Sequence, residues 1–154
     1  MASDFLLPDP EDDDAAPFWA GTARGELLVQ ACADCGQRRL PPRPMCPVCR
    51  SLKQRWEKLS GRGTIWSFVV PHPPLLPAYQ AFAPYNVVTV ALDEDPMLRL
   101  VGNLVARANG PINEIDPATI RIGEPVLVVF QQVQDVFLPR WVRGNHRSHN
   151  RLRS

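Results

Sequence analysis

No cysteine of this 154-residue chain lies outside residues 32 to 49, and histidine is scarce: His72, His146 and His149 are the only three. No apolar run approaches the roughly 18 residues that a membrane-crossing helix needs, so a helical bilayer span is excluded. The opening "MASDFLLPDPEDDD" has neither the basic start nor the apolar run of a secretory signal. A soluble cytoplasmic protein is therefore expected, in a compartment where thiols stay reduced. The formal net charge is only +1, so no overall field draws the chain to polyanions. No serine sits in a nucleophile-elbow pattern, and "SGRG" (60–63) is too short for a phosphate loop and better suited to a hinge. No catalytic residue is assigned.

What the chain does have is proline: 17 residues, clustered at 41–47 and 71–84. Proline removes a backbone donor and clashes with the preceding turn, so short strands and structured loops are expected in place of long helices. Hydrophobic residues make up 45% and charged residues 21%, enough for a core and too apolar for general disorder. Residues 1 to 16 carry six acids and no base, whereas residues 140 to 154 carry five arginines and no acid. Solvated, flexible ends explain this asymmetry; a basic tail meeting an acidic partner, a CoA phosphate or RNA is the sharper reading.

All four cysteines fall in "CADCGQRRLPPRPMCPVC" as two Cys-x-x-Cys pairs. Each pair lets a tight turn aim two sulfurs at one point, and two such turns build a closed tetrahedral site. Cys32, Cys35, Cys46 and Cys49 are the expected ligands, with ten residues between the pairs for a short out-and-back ribbon. Zinc is the expected ion, although iron fits the same four-sulfur cage. With four protein ligands the ion has no open position, so its role is structural. No thiol is then left to act as an acyl-transfer nucleophile.

The organisation reads as four segments. An acidic leader and short helix occupy 1–26, with Asp14 as the expected cap and Pro17 in the first turn. The metal ribbon follows at 27–58, with "LLVQAC" and "QRRLPP" as its strands. An OB-type barrel is expected over 59–142, and a basic flexible tail over 143–154. Its strands are "GRGTIWSFVV" (61–70), "YNVVTVALD" (85–93), "MLRLVGNLV" (97–105), "PVLVVFQQV" (125–133) and "VFLPRWV" (136–142). "DEDP" is the expected turn between the second and third, and "DPATIRIG" offers one helical turn before the fourth. Five strands with a long third-to-fourth connection suggest a closed OB barrel. The fold class is mainly β: a short helix, a rubredoxin-like ribbon and a five-stranded barrel.

The order "FWAGTARGELLVQ", "CADCGQRRLPPRPMCPVC", "WEKLSGRGTIWSFVVPHPP", "APYNVVTVALDE", "VGNLV", "RIGEPVLVVF" and "LPRW" resembles one family of bacterial and archaeal proteins. These are acyl-CoA-associated proteins built from a rubredoxin-like zinc ribbon and an OB fold, long catalogued as a domain of unknown function. The resemblance covers about residues 16 to 142. It implies a non-catalytic subunit that stabilises a thiolase-like partner and borders its acyl-CoA channel, for instance in a steroid side-chain retro-aldolase. A hydratase is a further implied partner.

CoA would require cations for its phosphates and an apolar surface for pantetheine. Arg38, Arg39 and Arg43 on the ribbon, Arg62 at the hinge and His72 beyond the first barrel strand are the expected ligand-facing edge. The alternative class is a zinc-ribbon and OB nucleic-acid binder. Against it, residues 17 to 139 carry twelve bases and ten acids, and phosphate contacts supply most non-specific affinity.

Overall fold

A computed structural model describes residues 5–144. Helix α1 (Ala16–Ala23) precedes a three-stranded antiparallel ribbon of β1 (Leu27–Cys32), β2 (Arg38–Arg39) and β3 (Gln54–Leu59), in the order β2-β1-β3. Five further strands follow: β4 (Arg62–Val69), β5 (Val87–Leu92), β6 (Asp95–Gly102), β7 (Pro125–Val133) and β8 (Val136–Arg143). They form one antiparallel sheet in the order β6-β5-β4-β7-β8. The sheet curls into a half-barrel of OB type. Its edges meet at one parallel bridge, Leu104 to Trp141. There the Trp141 N–H donates to Asn103 O (3.0 Å) and the Val105 N–H to Trp141 O (2.8 Å).

Alternation decides which residues line the interior. Val88, Val90 and Leu92 of β5 are buried and the residues between them are half-exposed, as a strand with one covered face requires. In β4 the register slips between Ile65 and Ser67. Trp66 is the extra residue of that bulge and stands half-exposed outside the sheet. Gln134 takes a positive φ of 56° in the two-residue turn between β7 and β8, the backbone twist that tight hairpins favour.

Ribbon and half-barrel share a single apolar core. Phe18 of α1 and Leu27, Val29 and Leu59 of the ribbon belong to the same buried cluster as Ile65, Val90, Leu104 and Trp141. Asn86 fastens the start of β5 to the end of β6. Its side chain donates to Leu104 O (2.9 Å) and accepts from the Leu104 N–H (2.7 Å), while Asn103 Nδ2 donates to Asn86 O. Buried amides must find such partners or forfeit stability.

Several local expectations are corrected. Ala15, not Asp14, stands at the N-cap of α1; the Asp12 carboxylate accepts from the Ala15 N–H (3.0 Å) and the Asp14 N–H (3.1 Å). The chain bends one turn earlier, so the Asp12 carboxylate closes the turn that leads into the helix. Only two residues of "QRRLPP" pair, because Pro41 and Pro42 lack the amide a ladder needs. The β5–β6 turn contracts to residues 93–94, with Asp95 and Pro96 already in β6. The proline-rich 71–84 segment contains a one-turn helix, α2 (Pro77–Gln80). From Phe5 the acidic leader lies on this segment, with the Phe5 ring 5.2 Å from Tyr79 and 5.1 Å from Phe82. Arg143, assigned by sequence to the basic tail, is the last residue of β8 and pairs with Val126. Residues 145–154, with His146 and His149, lie outside the described residues.

The curl is tightest at Gly63, where a Cβ would sit 2.4 Å from Val90 Cγ1 and 2.6 Å from Ala91 O. Gly63→Ala is expected to destabilise the chain by about 1–3 kcal/mol, read as a lower urea midpoint. Val101→Ala, at a residue 55% exposed on edge strand β6, should stay within about 0.5 kcal/mol of wild type.

Candidate functional site

The two Cys-x-x-Cys turns are built alike. After Cys32 the chain turns back, with the Gly36 N–H donating to Cys32 O (3.0 Å) and the Cys32 N–H to Gln37 O (2.9 Å). After Cys46 the Arg50 N–H donates to Cys46 O (2.9 Å) and the Cys46 N–H to Ser51 O (2.9 Å). Gly36 (φ 79°) and Arg50 (φ 63°) occupy the same left-handed position of their turns. This conformation is natural for glycine and strained for arginine. The repeat shows that the ribbon tip is shaped to aim sulfurs even where the residue resists.

All four Sγ atoms lie within 4.8 Å of one another. Cys32 is 3.5 Å from Cys49, and Cys35 is 3.6 Å from Cys46. A sulfur tetrahedron around an ion at about 2.3 Å has edges of roughly 3.8 Å, so the donor set fits a tetrathiolate ion. The separations far exceed the ~2.05 Å of a disulfide. The backbone N–H of Cys35 pulls the Cys32 thiol down to about 6 against the opposing effect of burial. The N–H of Cys49 lowers Cys46 in the same way. For Cys49, the N–H of Ser51 lowers the pKa, but hydrogen bonding with the other three sulfurs and burial push it up to about 12. Four sulfurs this close cannot all carry charge without a cation among them. Cys32, Cys35, Cys46 and Cys49 would hold a structural metal ion through four protein ligands.

The expected CoA-facing residues are dispersed. Arg38 donates from Nε to Glu57 Oε2 (2.7 Å) and from Nη1 to Glu94 O (3.2 Å), and this contact holds the Glu57 carboxyl below its usual range. Arg39 points the other way, 5% exposed, donating to Gln30 Oε1 (2.7 Å) and Arg43 O (3.3 Å). Arg43 and Arg62 are exposed. Arg62 shares the 93–95 turn with Arg38, its carbonyl accepting from the Asp93 N–H (3.0 Å). His72 is exposed beyond the opposite end of β4, and an eight-residue strand spans about 23 Å.

A second feature lies where the barrel edges part. A groove of about 420 Å³ runs between β6 and β8, floored by α1 and by Leu40–Pro42 of the ribbon. Arg140 lines it, and burial pulls its pKa below the ordinary arginine value. Arg99, on the facing edge, stacks its guanidinium 3.6 Å from the Trp66 ring centroid. Neither arginine was singled out by sequence. The one clue was an arginine beside a tryptophan in the apolar strand "VFLPRWV".

A short helix, a four-cysteine ribbon and an OB-type half-barrel on one core define the zinc-ribbon and OB-fold class. Family models agree: the ChsH2 rubredoxin-like zinc ribbon domain matches residues 19–53, and the ChsH2 C-terminal OB-fold domain matches residues 56–131. A DUF35 domain-containing scaffold protein of Methanothermobacter thermautotrophicus is 34% identical over 113 residues, 73% of this chain and 77% of that one. The chain belongs to this DUF35 family of zinc-ribbon and OB-fold proteins. It is also 33% identical to the 3-oxo-4,17-pregnadiene-20-carboxyl-CoA hydratase alpha subunit of Mycobacterium tuberculosis, over 90% of this chain and 40% of that protein. The chain thus spans two-fifths or less of the hydratase alpha subunits it matches. The solved structure titled "Ltp2-ChsH2(DUF35) aldolase" superimposes with a TM-score of 0.72 at 33% identity, covering 86% of this chain and 95% of the matched one.

Cys35→Ser removes one ligand from the exposed side of the cage. Bound metal, measured by mass spectrometry of purified protein, is expected to fall from about one ion per chain to a small fraction. The Tm should drop by roughly 10 °C, as several kcal/mol of metal-linked folding energy are lost. Unchanged metal content would place the ion elsewhere.

Proposed function

We propose that this chain is a non-catalytic accessory subunit of an acyl-CoA enzyme, with zinc in the cysteine cage and a thiolase-like partner that supplies the catalytic residues. One observation carries the reading. The DUF35 chain of a structure described as an aldolase matches this chain over 86% of its length at 33% identity. The chemistry of this chain agrees, since its four thiols all lie in the cage and none remains for acyl transfer. The hydratase named among the relatives makes a hydratase a natural neighbour, handing its β-hydroxyacyl-CoA to a retro-aldol partner in the cytoplasm.

Within this reading the zinc ribbon is the docking element and the half-barrel borders the CoA path. Of the five expected CoA-facing residues, Arg43, Arg62 and His72 are exposed and offer their side chains to a ligand. Arg38 is already engaged by Glu57, and Arg39 is held by Gln30 inside the ribbon. Phosphate recognition therefore falls to Arg43 and Arg62.

Co-expression with a thiolase-like protein encoded nearby tests the proposal. The two chains are expected to co-elute as one complex that cleaves a β-hydroxyacyl-CoA, with neither the isolated chain nor its Arg62→Glu variant turning over substrate unaided. Turnover by the isolated chain would end the accessory reading, as would failure of every such candidate to co-elute.

A further inference from the structure

The open seam between β6 and β8 encloses about 420 Å³, within the range of small-molecule sites, roughly 300–1,000 Å³. Phe18 and Trp19 of α1, Leu40 and Pro41 of the ribbon, and Leu100 and Leu138 of the two edge strands give it apolar walls. Two arginines line it, Arg99 and Arg140, and no aspartate or glutamate does.

Arg140 is only 8% exposed and belongs to no ion pair among the described residues. Its Nε donates to Gln131 Oε1 (2.9 Å) and its Nη1 to Asn103 Oδ1 (2.8 Å), both neutral acceptors. Its Nη2 has no hydrogen-bond partner among the described residues. Across the seam, Arg99 is balanced only by the Trp66 ring, and its buried Nε has no partner among the described residues. A buried cation without a counter-charge is costly, and Arg140 beside an apolar cleft is complementary to an anion with an apolar body.

We propose that this seam is a binding site for a small amphipathic anion: an apolar chain or ring bearing a carboxylate or phosphate, with the anionic group on Arg140 and the apolar body against Phe18, Trp19 and Leu138. A guanidinium offers paired N–H donors to either head group. The inference concerns this chain alone and does not depend on which enzyme it accompanies.

The test uses the full, metal-loaded chain titrated with decanoate and with decyl phosphate, each below its micelle concentration. Binding is read by calorimetry and by tryptophan fluorescence, since Trp19 lines the groove. Saturable binding of one or both anions is expected, at least about tenfold tighter than decanol or decyltrimethylammonium. The tighter of the two identifies the head group. Arg140→Gln should weaken the anion at least about tenfold and leave decanol unchanged. Should that variant fail to fold, Val101→Phe decides: it narrows the mouth at an already exposed residue and should weaken binding to a similar degree. The proposal is overturned if neither anion binds, if decanol binds as tightly as the anions, or if the folded variants bind like wild type. Absence of binding by the free chain, with a partner protein's segment found in the seam, would reassign the groove to protein docking.

Discussion

Four sulfurs converge on one point, and like charges cannot be gathered there without a cation. The rest of the molecule answers to that constraint. The ribbon strands are short, two to six residues each, and their buried residues lie mostly on β1. Metal coordination would supply the tip, beyond the reach of that core, with folding energy. The same commitment would take all four thiols of the chain out of nucleophilic chemistry.

The base of the ribbon is held differently. Leu27, Val29 and Leu59 enter the same cluster as Ile65, Val90 and Trp141, and β3 passes into β4 through only Ser60 and Gly61. Gly61 is a required residue: its φ is 78°, and a Cβ there would lie 2.5 Å from Val128 Cγ1. The ribbon and the half-barrel are therefore packed on one apolar core. A partner gripping the ribbon would fix the orientation of the half-barrel as well.

Features written in local spacing were legible in the sequence. The cysteine pairs gave the cage, and apolar alternation bounded by turn residues located all five barrel strands, with β7 at residues 125–133 as expected. Features that depend on one residue of turn geometry were less so: Asp14 is a good cap by composition, yet Ala15 stands at the N-cap with no side-chain cap, and Asp12 instead closes the turn before the helix. Tertiary features were hidden. An arginine near a basic end reads as part of a tail, yet Arg140 is buried by partners 9 and 37 residues away. The groove it lines is made by two strand edges that part beyond their one bridge, a gap no local pattern records. The expected CoA-facing residues illustrate the converse. Arg38 and Arg39 are adjacent in sequence, and because strand neighbours face opposite ways one meets Glu57 and the other Gln30.

The single bridge from Leu104 to Trp141 gives the half-barrel an adjustable girth. The ladders of the sheet run from the three pairs of β4 with β7 to the eight pairs of β7 with β8, whereas the two edges are joined by two backbone hydrogen bonds flanking Trp141. A change in circumference can therefore be absorbed at that joint while the ladders keep their register. Asn86 and Asn103 clamp one end of that joint, so a wider opening would have to begin at the other.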